Sequence, residues 1–258
     1  METFVTWNIN SIRVRLPFLL SWLKEKGPDV VLLQETKVTD EQFPREEIEN
    51  LHYNIATYGQ KSYNGVAILS KFPIEDVTRG IPGFEHDQAR YIEAVIRGTR
   101  VASVYVPNGM AVGSDKYDYK LEFLNHLNRH TQKLLTYEEV FLLGGDFNIA
   151  PQDEDVYDPQ EWHEKILCST PEREGLRALI YLGLTDALRA LHPHEHDLYT
   201  WWDYRGGAWQ NNEGLRIDHF LLSPQATDCL KDTFVDKEVR GLEKASDHAP
   251  VCCQLLLG

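Results

Sequence analysis

Two hydrophobic periods alternate along the first part of the chain. "FVTWNI" and "DVVLLQ" are short apolar runs rich in β-branched residues and predict strands. Between them "RLPFLLSWLKEK" repeats its apolar residues at helical spacing around Leu16, Leu19, Leu20 and Leu23, which predicts a strand-helix-strand unit. Four further runs, "YNIATYG", "GVAILSK", "YIEAVIRG" and "VASVYVP", predict strands, with Asn64-Gly65 and Arg97-Gly98 as hairpin turns. Residues 116–135 bring Tyr119, Phe123, Leu127 and Leu134 near one face and predict a long helix, followed by the strand "VFLLGGDFN". Past an acidic loop rich in Pro and Asp, "PEREGLRALIYLGL" predicts a helix with Glu172 to Glu174 in its first turn. "YTWWDY", "IDHFLLS" and "APVCCQLLL" complete the predicted strands. Helices alternating with strands, hairpins among them, and no repeat or low-complexity linker predict one α/β domain of mixed sheets over residues 1–258.

Composition narrows the class. Hydrophobic residues make up 42% and charged residues 26%, the usage of a folded globular chain. No apolar run approaches the roughly 20 residues of a membrane helix. The N-terminus enters its first strand without a signal peptide or extension, so a membrane partner and secretion are not expected and a cytoplasmic location is. Cys168, Cys229, Cys252 and Cys253 lack zinc or redox spacing, and Cys252 and Cys253 point to opposite faces of a strand.

The net charge of −14 taken alone argues against nucleic acid as a partner, because phosphate neutralisation shows as a basic patch. Over residues 138–164, however, nine acids and no Lys or Arg concentrate the excess, while Arg13, Arg15, Lys24, Lys26 and Lys37 enrich the N-terminal part in base. An acidic protein holds a phosphate ester when a divalent cation and a few local bases line the groove.

Several strands end in carboxylates, amides or hydroxyls: "WNINSIR" with Asn8 and Asn10, "LLQETK" with Glu35, "VYVPNG" with Tyr105 and Asn108, "LLGGDFNIAP" with Asp146 and Asn148, "LRIDHFLLS" with Asp218, and "SDHAP" with Asp247 and His248. Singly, each has a structural reading. Asn8 and Asn10 read as turn residues. Glu35 reads equally as a solvated strand end or a ligand, and Asp146 as turn chemistry after Gly144-Gly145, although Asp146 and Asn148, two apart, point to the same side. His248 alone reads as a structural histidine. Asp218 lies inside an apolar strand, where a carboxylate requires a partner. Together they supply oxygen ligands suited to Mg²⁺ and the remaining groups needed to move a phosphoryl bond.

These segments, in this order and approximate spacing, resemble the exonuclease III family of abasic-site endonucleases, within the endonuclease/exonuclease/phosphatase superfamily, nearly end to end. "GGDFN" and "SDH" indicate the superfamily; "WNINSIR", "QETK" and "LRIDHFLLS" narrow the resemblance to the DNA-repair branch. The resemblance implies a DNase I-like four-layer αββα sandwich of two mixed β-sheets flanked by helices, with the site at the sheet edges. It implies a monomeric base-excision-repair enzyme of prokaryotic, nucleoid-associated type. Its partner is double-stranded DNA with abasic sites or blocked 3′ ends, cut 5′ to the abasic site with Mg²⁺ or Mn²⁺, with 3′–5′ exonuclease and 3′-phosphodiesterase action.

Carried over by residue, Glu35 resembles the principal metal ligand, with Asn8, Asn10 and Asp247 nearby and Asp146, Asn148 and His248 close to the metal. Asp146 resembles the acid that orients or deprotonates water, and Asn148 holds that water or a phosphate oxygen. Asp218 resembles the partner of His248. Tyr105 donates to a phosphate oxygen or the leaving group, and Asn108 is a second phosphate contact. Arg13, Lys37 and Arg90 hold the DNA backbone. Some members carry Asp where this chain has Asn10, which leaves the ligand set one negative charge fewer.

Trp201, Trp202 and Trp209 read alone as core residues. By the resemblance, Trp201, Leu215 and Ile217 wall a pocket for an extruded abasic sugar, and residues 205–214 form a DNA-facing loop. Two rivals stand beside repair: a general deoxyribonuclease or other phosphodiesterase of the superfamily, and a DNA-binding protein that has lost catalysis. The reactive residue types are all present, which disfavours the second rival.

Overall fold

The computed structural model describes residues 1–258. Its strands are β1 (Glu2–Asn8), β2 (Val30–Gln34), β3 (Asn54–Tyr58), β4 (Val66–Ser70), β5 (Glu75–Arg79), β6 (Tyr91–Ile96), β7 (Thr99–Tyr105), β8 (Phe141–Asp146), β9 (Thr185–Asp186), β10 (Trp201–Trp202), β11 (Gly214–Leu215), β12 (Asp218–Leu222), β13 (Leu230–Val235) and β14 (Val251–Leu255). Two six-stranded sheets form, in the orders β13-β14-β1-β2-β4-β3 and β5-β6-β7-β8-β12-β9. Within each, one central pair is parallel, β1 with β2 and β7 with β8. A parallel pair needs a crossover, and the helices Ile12–Lys26 and Asp115–Leu135 provide one each.

Side-chain alternation builds the layers. Phe4, Val30, Leu32 and Ile68 face Ile92, Val101, Leu142 and Phe220 between the sheets. Their neighbours Val5, Trp7, Val31 and Leu33 turn outward beneath Leu19, Trp22 and Leu23 of the first helix. On the other side Val104, Phe141 and Leu143 pack under Phe123 and Leu127, joined by Leu176 and Leu179. The result is the four-layer αββα sandwich. Truncating a fully buried residue such as Leu32 to Ala costs about 2–5 kcal/mol, because the sheets on both sides hold the cavity open.

Gly144 and Gly145 lie inside β8 and are not turn residues. A Cβ on Gly145 would stand 1.9 Å from the Val104 carbonyl oxygen, and one on Gly144 would meet Phe220 and Leu32. They set the close approach of neighbouring elements.

Arg97-Gly98 does close a hairpin, between β6 and β7. Asn64-Gly65 does not: β3 and β4 pair, but across a longer loop, and the Asn64 and Gly65 carbonyls accept from the Lys37 and Thr36 N–H groups. "YTWWDY" shortens to Trp201–Trp202, paired with Gly214–Leu215. β5 and β13 lacked an apolar signal because they lie at sheet edges with largely exposed side chains.

Topology also fixes where the polar strand ends meet. β1, β2, β7 and β8 present their carboxyl ends at one rim. β12 runs antiparallel to β8, with Asp218 opposite Asp146, and β14 runs antiparallel to β1. Asp218 and the residues just before β14 therefore reach the same rim at their strands' amino ends.

Candidate active site

At this rim Asn8, fully buried, bridges two carboxylates: its Nδ2 donates to Glu35 Oε1 and to Asp146 Oδ2, each at 2.9 Å, while its Oδ1 accepts the Asn10 N–H at 3.0 Å. Asn8, expected as a metal ligand, turns its NH₂ toward the two acids and its amide oxygen toward the Asn10 N–H. Glu35, Lys37 and Asn10 all adopt left-handed backbone, which ends each strand abruptly and turns its side chain into the rim.

Lys37, expected on the DNA backbone, lies at the edge of the rim and reaches its ammonium toward it. Its Nζ lies 2.7 Å from Glu35 Oε2 and 2.6 Å from Asn10 Oδ1. Burial alone would raise the Glu35 carboxyl, but the Lys37 charge and hydrogen bonds from Asn8 and Lys37 bring it below its ordinary value. An ammonium held by a carboxylate and an amide oxygen marks a cation position, and its donors are the hard oxygens that Mg²⁺ or Mn²⁺ takes. Asn10 Nδ2 donates to Asp247 Oδ1 at 2.9 Å, so Glu35, Asn10 and Asp247 form one connected donor set.

The second half of the rim centres on Asp146 and His248. The Asn148 N–H donates to Asp146 Oδ1 at 2.8 Å, and Asn148 Nδ2 donates to the Val106 carbonyl and to Asp146 Oδ2. β8 has ended by Asn148, whose φ is 51°, so a left-handed turn and not strand alternation returns its side chain to the same side. His248 Nδ1 stands 2.9 Å from Asp218 Oδ2 and its Nε2 3.8 Å from Asp146 Oδ2. Thr200 Oγ1 also donates to Asp218 Oδ2, at 2.6 Å. Asp146, Asp218 and His248 cluster closely enough to hold a metal.

Burial works against charge on His248, yet Asp218 and then Asp146 raise its pKa far above the ordinary imidazole value. The two flanking carboxylates thus favour the protonated ring, which suits a role beside an anion. Burial raises the Asp146 carboxyl, His248 opposes this and Asp218 adds to it, leaving it elevated. Such a carboxylate is suited to accepting a proton near neutral pH. Burial and then Glu35 push Tyr105 well above the usual phenol range, so it remains a donor. The Arg90 guanidinium lies 4.6 Å above the Tyr105 ring.

A cavity of about 300 Å³ opens on these groups, with Glu35, Tyr105, Asn108, Asp146, Asn148, Asp247 and His248 on its polar side. Of the three residues expected in its wall, Trp201 and Ile217 line it. Leu215 does not: it is fully buried behind the wall, packed with Ala150, Val156 and Cys168. Trp162, Ile166 and Leu167 take that place and had been missed, because the acidic loop bearing them shows no regular period. Trp201 Nε1 donates to Asp247 Oδ2 at 3.0 Å, tying wall to donor set. Trp202 is core, fully buried and edge-on to half-buried Trp209, with ring centroids 4.9 Å apart.

A second cavity of about 510 Å³ continues from the first past Asn108 and is lined by Lys37, Arg90, Lys116, Tyr63 and Tyr119. Arg13 is exposed and outside both cavities, while Arg15 binds the Asn10 carbonyl and Tyr204 Oη. No helix is long and apolar enough to cross a membrane.

The profile of the endonuclease/exonuclease/phosphatase family matches residues 5–248. An exodeoxyribonuclease III of Haemophilus influenzae is 35% identical over 260 residues, covering 96% of this chain and 97% of its own. Among solved structures, the 3′ phosphatase NExo from Neisseria bound to a product DNA hairpin superposes with a TM-score of 0.98 at 44% identity, with all of both chains covered. An AP endonuclease from Archaeoglobus fulgidus superposes at 0.96 and 36% identity, again over both whole chains.

Proposed function

Because the chain belongs to the endonuclease/exonuclease/phosphatase family, we propose that it is a DNA-repair nuclease that hydrolyses the phosphodiester 5′ to abasic sites in duplex DNA and trims 3′ ends. The observation that carries this reading is the pairing, across one cavity, of an oxygen donor set with a buried carboxylate and a buried histidine that is itself bonded to a second carboxylate. Glu35, Asn10 and Asp247 lie on one side, and Asp146 and His248 on the other. We read residues 1–258 as one catalytic domain acting as a monomer in the cytoplasm.

Glu35, Asp247 and Asn10 would hold Mg²⁺ or Mn²⁺, whose chemistry is neutralisation of phosphate and leaving-oxygen charge. Every other task falls to the chain. Asp146 accepts the proton of the attacking water, and Asn148, fixed by its bonds to Asp146 and Val106, orients that water or a phosphate oxygen. His248, kept cationic by Asp218, donates from Nε2 to a phosphate oxygen as charge builds there. Tyr105 donates to the leaving oxygen, and Asn108 to the phosphate. Trp201, Ile217, Trp162 and Leu167 admit a deoxyribose without its base, which flips at lower cost than an intact nucleotide. Arg90 and Lys116 face the backbone along the second cavity.

The same cavity accommodates a terminal 3′ phosphate, the substrate class named for the Neisseria relative. Three duplexes separate the activities: one with an internal abasic analogue, one with a 3′ phosphate at a nick, and one undamaged. Incision of the first and dephosphorylation of the second with Mg²⁺ or Mn²⁺, both abolished by chelator, are expected. No turnover of either overturns the reading, and equal cutting of damaged and undamaged duplexes identifies a general nuclease.

A further inference from the structure

Behind the rim, Lys120 of the helix Asp115–Leu135 and Glu172 of the helix Thr170–Tyr181 form an ion pair with both side chains fully buried. Neither lines the catalytic cavity. Lys120 Nζ donates to three acceptors: the Glu172 carboxylate, the Asn148 carbonyl at 2.7 Å and the Asn108 carbonyl at 3.2 Å. Glu172 accepts from the Leu167 N–H and the Ser169 N–H, each at 3.1 Å, and from the Ser169 hydroxyl.

One ion pair thus ties down three backbone segments that each carry cavity residues: the loop after β7 with Asn108, the loop after β8 with Asn148, and the stretch with Ile166 and Leu167. Two of the tied residues have left-handed backbone, Asn148 at φ 51° and Leu167 at φ 74°. Such conformations cost on the order of 1–3 kcal/mol each and persist only where their surroundings over-determine them. The contact is close: a Cβ added to Gly109 would lie 3.2 Å from Lys120 Cδ and 3.0 Å from Ile166 Cδ1.

Stability alone does not account for charges here, because a buried ion pair replaced by apolar residues of similar volume is often as stable or more so. An apolar pair, however, cannot grip two carbonyls and two N–H groups at fixed places. We infer that Lys120 and Glu172 are positioning residues for phosphoester hydrolysis. They hold the Asn108 and Asn148 side chains and the Leu167 wall at the mutual spacing that aligns the phosphate with Asp146 and His248. This rests on the phosphoesterase reading above.

The test compares wild type, Lys120→Met, and the charge-free double variant Lys120→Met/Glu172→Gln, with melting temperature, hydrogen exchange and steady-state kinetics on the abasic and 3′-phosphate duplexes. Lys120→Met leaves an uncompensated buried carboxylate and melts lower, while the double variant recovers most of that loss. The double variant's kcat per folded molecule stays roughly 100-fold below wild type, the scale of an ångström-level misplacement, with KM moving less than about threefold. Exchange of residues 106–109, 147–150 and 166–169 rises together while the sheets stay protected. Recovery of kcat along with melting temperature in the double variant, or exchange rising only around residue 172, overturns the inference. Should wild type turn over neither duplex, the functional reading fails, and the exchange pattern alone still decides the positioning role.

Discussion

His248 Nδ1 donates its hydrogen bond to Asp218 Oδ2, 30 residues back in the chain, at 2.9 Å, whereas its sequence neighbour Asp247 accepts from Asn10 and Trp201. The acid-histidine dipeptide is therefore split between two tasks. Asp218→Asn keeps the shape but removes the largest of the charges that favour the protonated ring, so the proposed cationic donor to the phosphate is weakened. Both His248→Ala and Asp146→Asn are expected to lower kcat by roughly 10³-fold or more, and Asp218→Asn by roughly 10²-fold, with far-ultraviolet dichroism unchanged. Near-normal turnover in either of the first two would remove that residue from the mechanism.

Lys37 Nζ sits 2.7 Å from Glu35 Oε2 and 2.6 Å from Asn10 Oδ1, the oxygens proposed to hold the divalent ion. Removing its charge with Lys37→Met should therefore tighten Mn²⁺ binding several-fold by calorimetry and lower the metal concentration giving half-maximal rate. Weaker Mn²⁺ binding in the variant would mean that the ammonium organises the donor set instead of occupying it.

Much of this was legible in the chain because it depends on period and punctuation. The apolar runs ending in Asn8, Glu35, Tyr105 and Asp146, and the run that begins at Asp218, mark both the strands and their polar termini, and the resemblance supplies their convergence. What escaped depends on tertiary contact. Lys37 looked like a surface base because nothing local says that a left-handed backbone turns it onto Glu35. Leu215 and Leu167 exchange places in the pocket wall because an irregular acidic loop folds across it, and such loops carry no period to read. Lys120 and Glu172 fall within the apolar stripes of their helices, at helical spacing from Tyr117, Phe123 and Leu124 and from Leu176 and Leu179, but which partner each charge meets there is decided by the packing of two helices against two loops.

Trp201 makes two contacts that separate by substitution: its ring lines the cavity and its N–H donates to Asp247. Trp201→Phe keeps an aromatic wall but loses the N–H that fixes Asp247, so metal affinity should fall while preference for the abasic duplex is retained. Trp201→Ala opens the wall, and the ratio of kcat/KM for abasic over undamaged duplex should drop roughly 10- to 100-fold, the range one apolar pocket contact supplies. An unchanged ratio in Trp201→Ala would assign selectivity to Trp162 and Leu167.

Beyond the catalytic groups, Asp155 anchors the acidic loop from a fully buried position. It pairs with Arg216 through Oδ1 to Nε at 2.7 Å and Oδ2 to Nη2 at 3.1 Å, and also binds Arg189. Burial alone would raise its carboxyl, but Arg216, by charge and hydrogen bonds, and then Arg189 bring it down to about 2. A folded-state pKa below the unfolded value of about 3.9 means that this stabilisation is complete above the unfolded value and disappears as pH falls from about 4 toward 2. It amounts to about 2–3 kcal/mol at neutral pH. Asp155→Asn leaves Arg216 buried without its charge partner and should cost about 3–5 kcal/mol at pH 7. Urea unfolding of both proteins from pH 7 to pH 2.5 checks the sign. The gap between them should narrow below pH 4, because wild type alone loses the linked contribution there, and a gap independent of pH would place the loop's stability in packing instead of in this carboxylate.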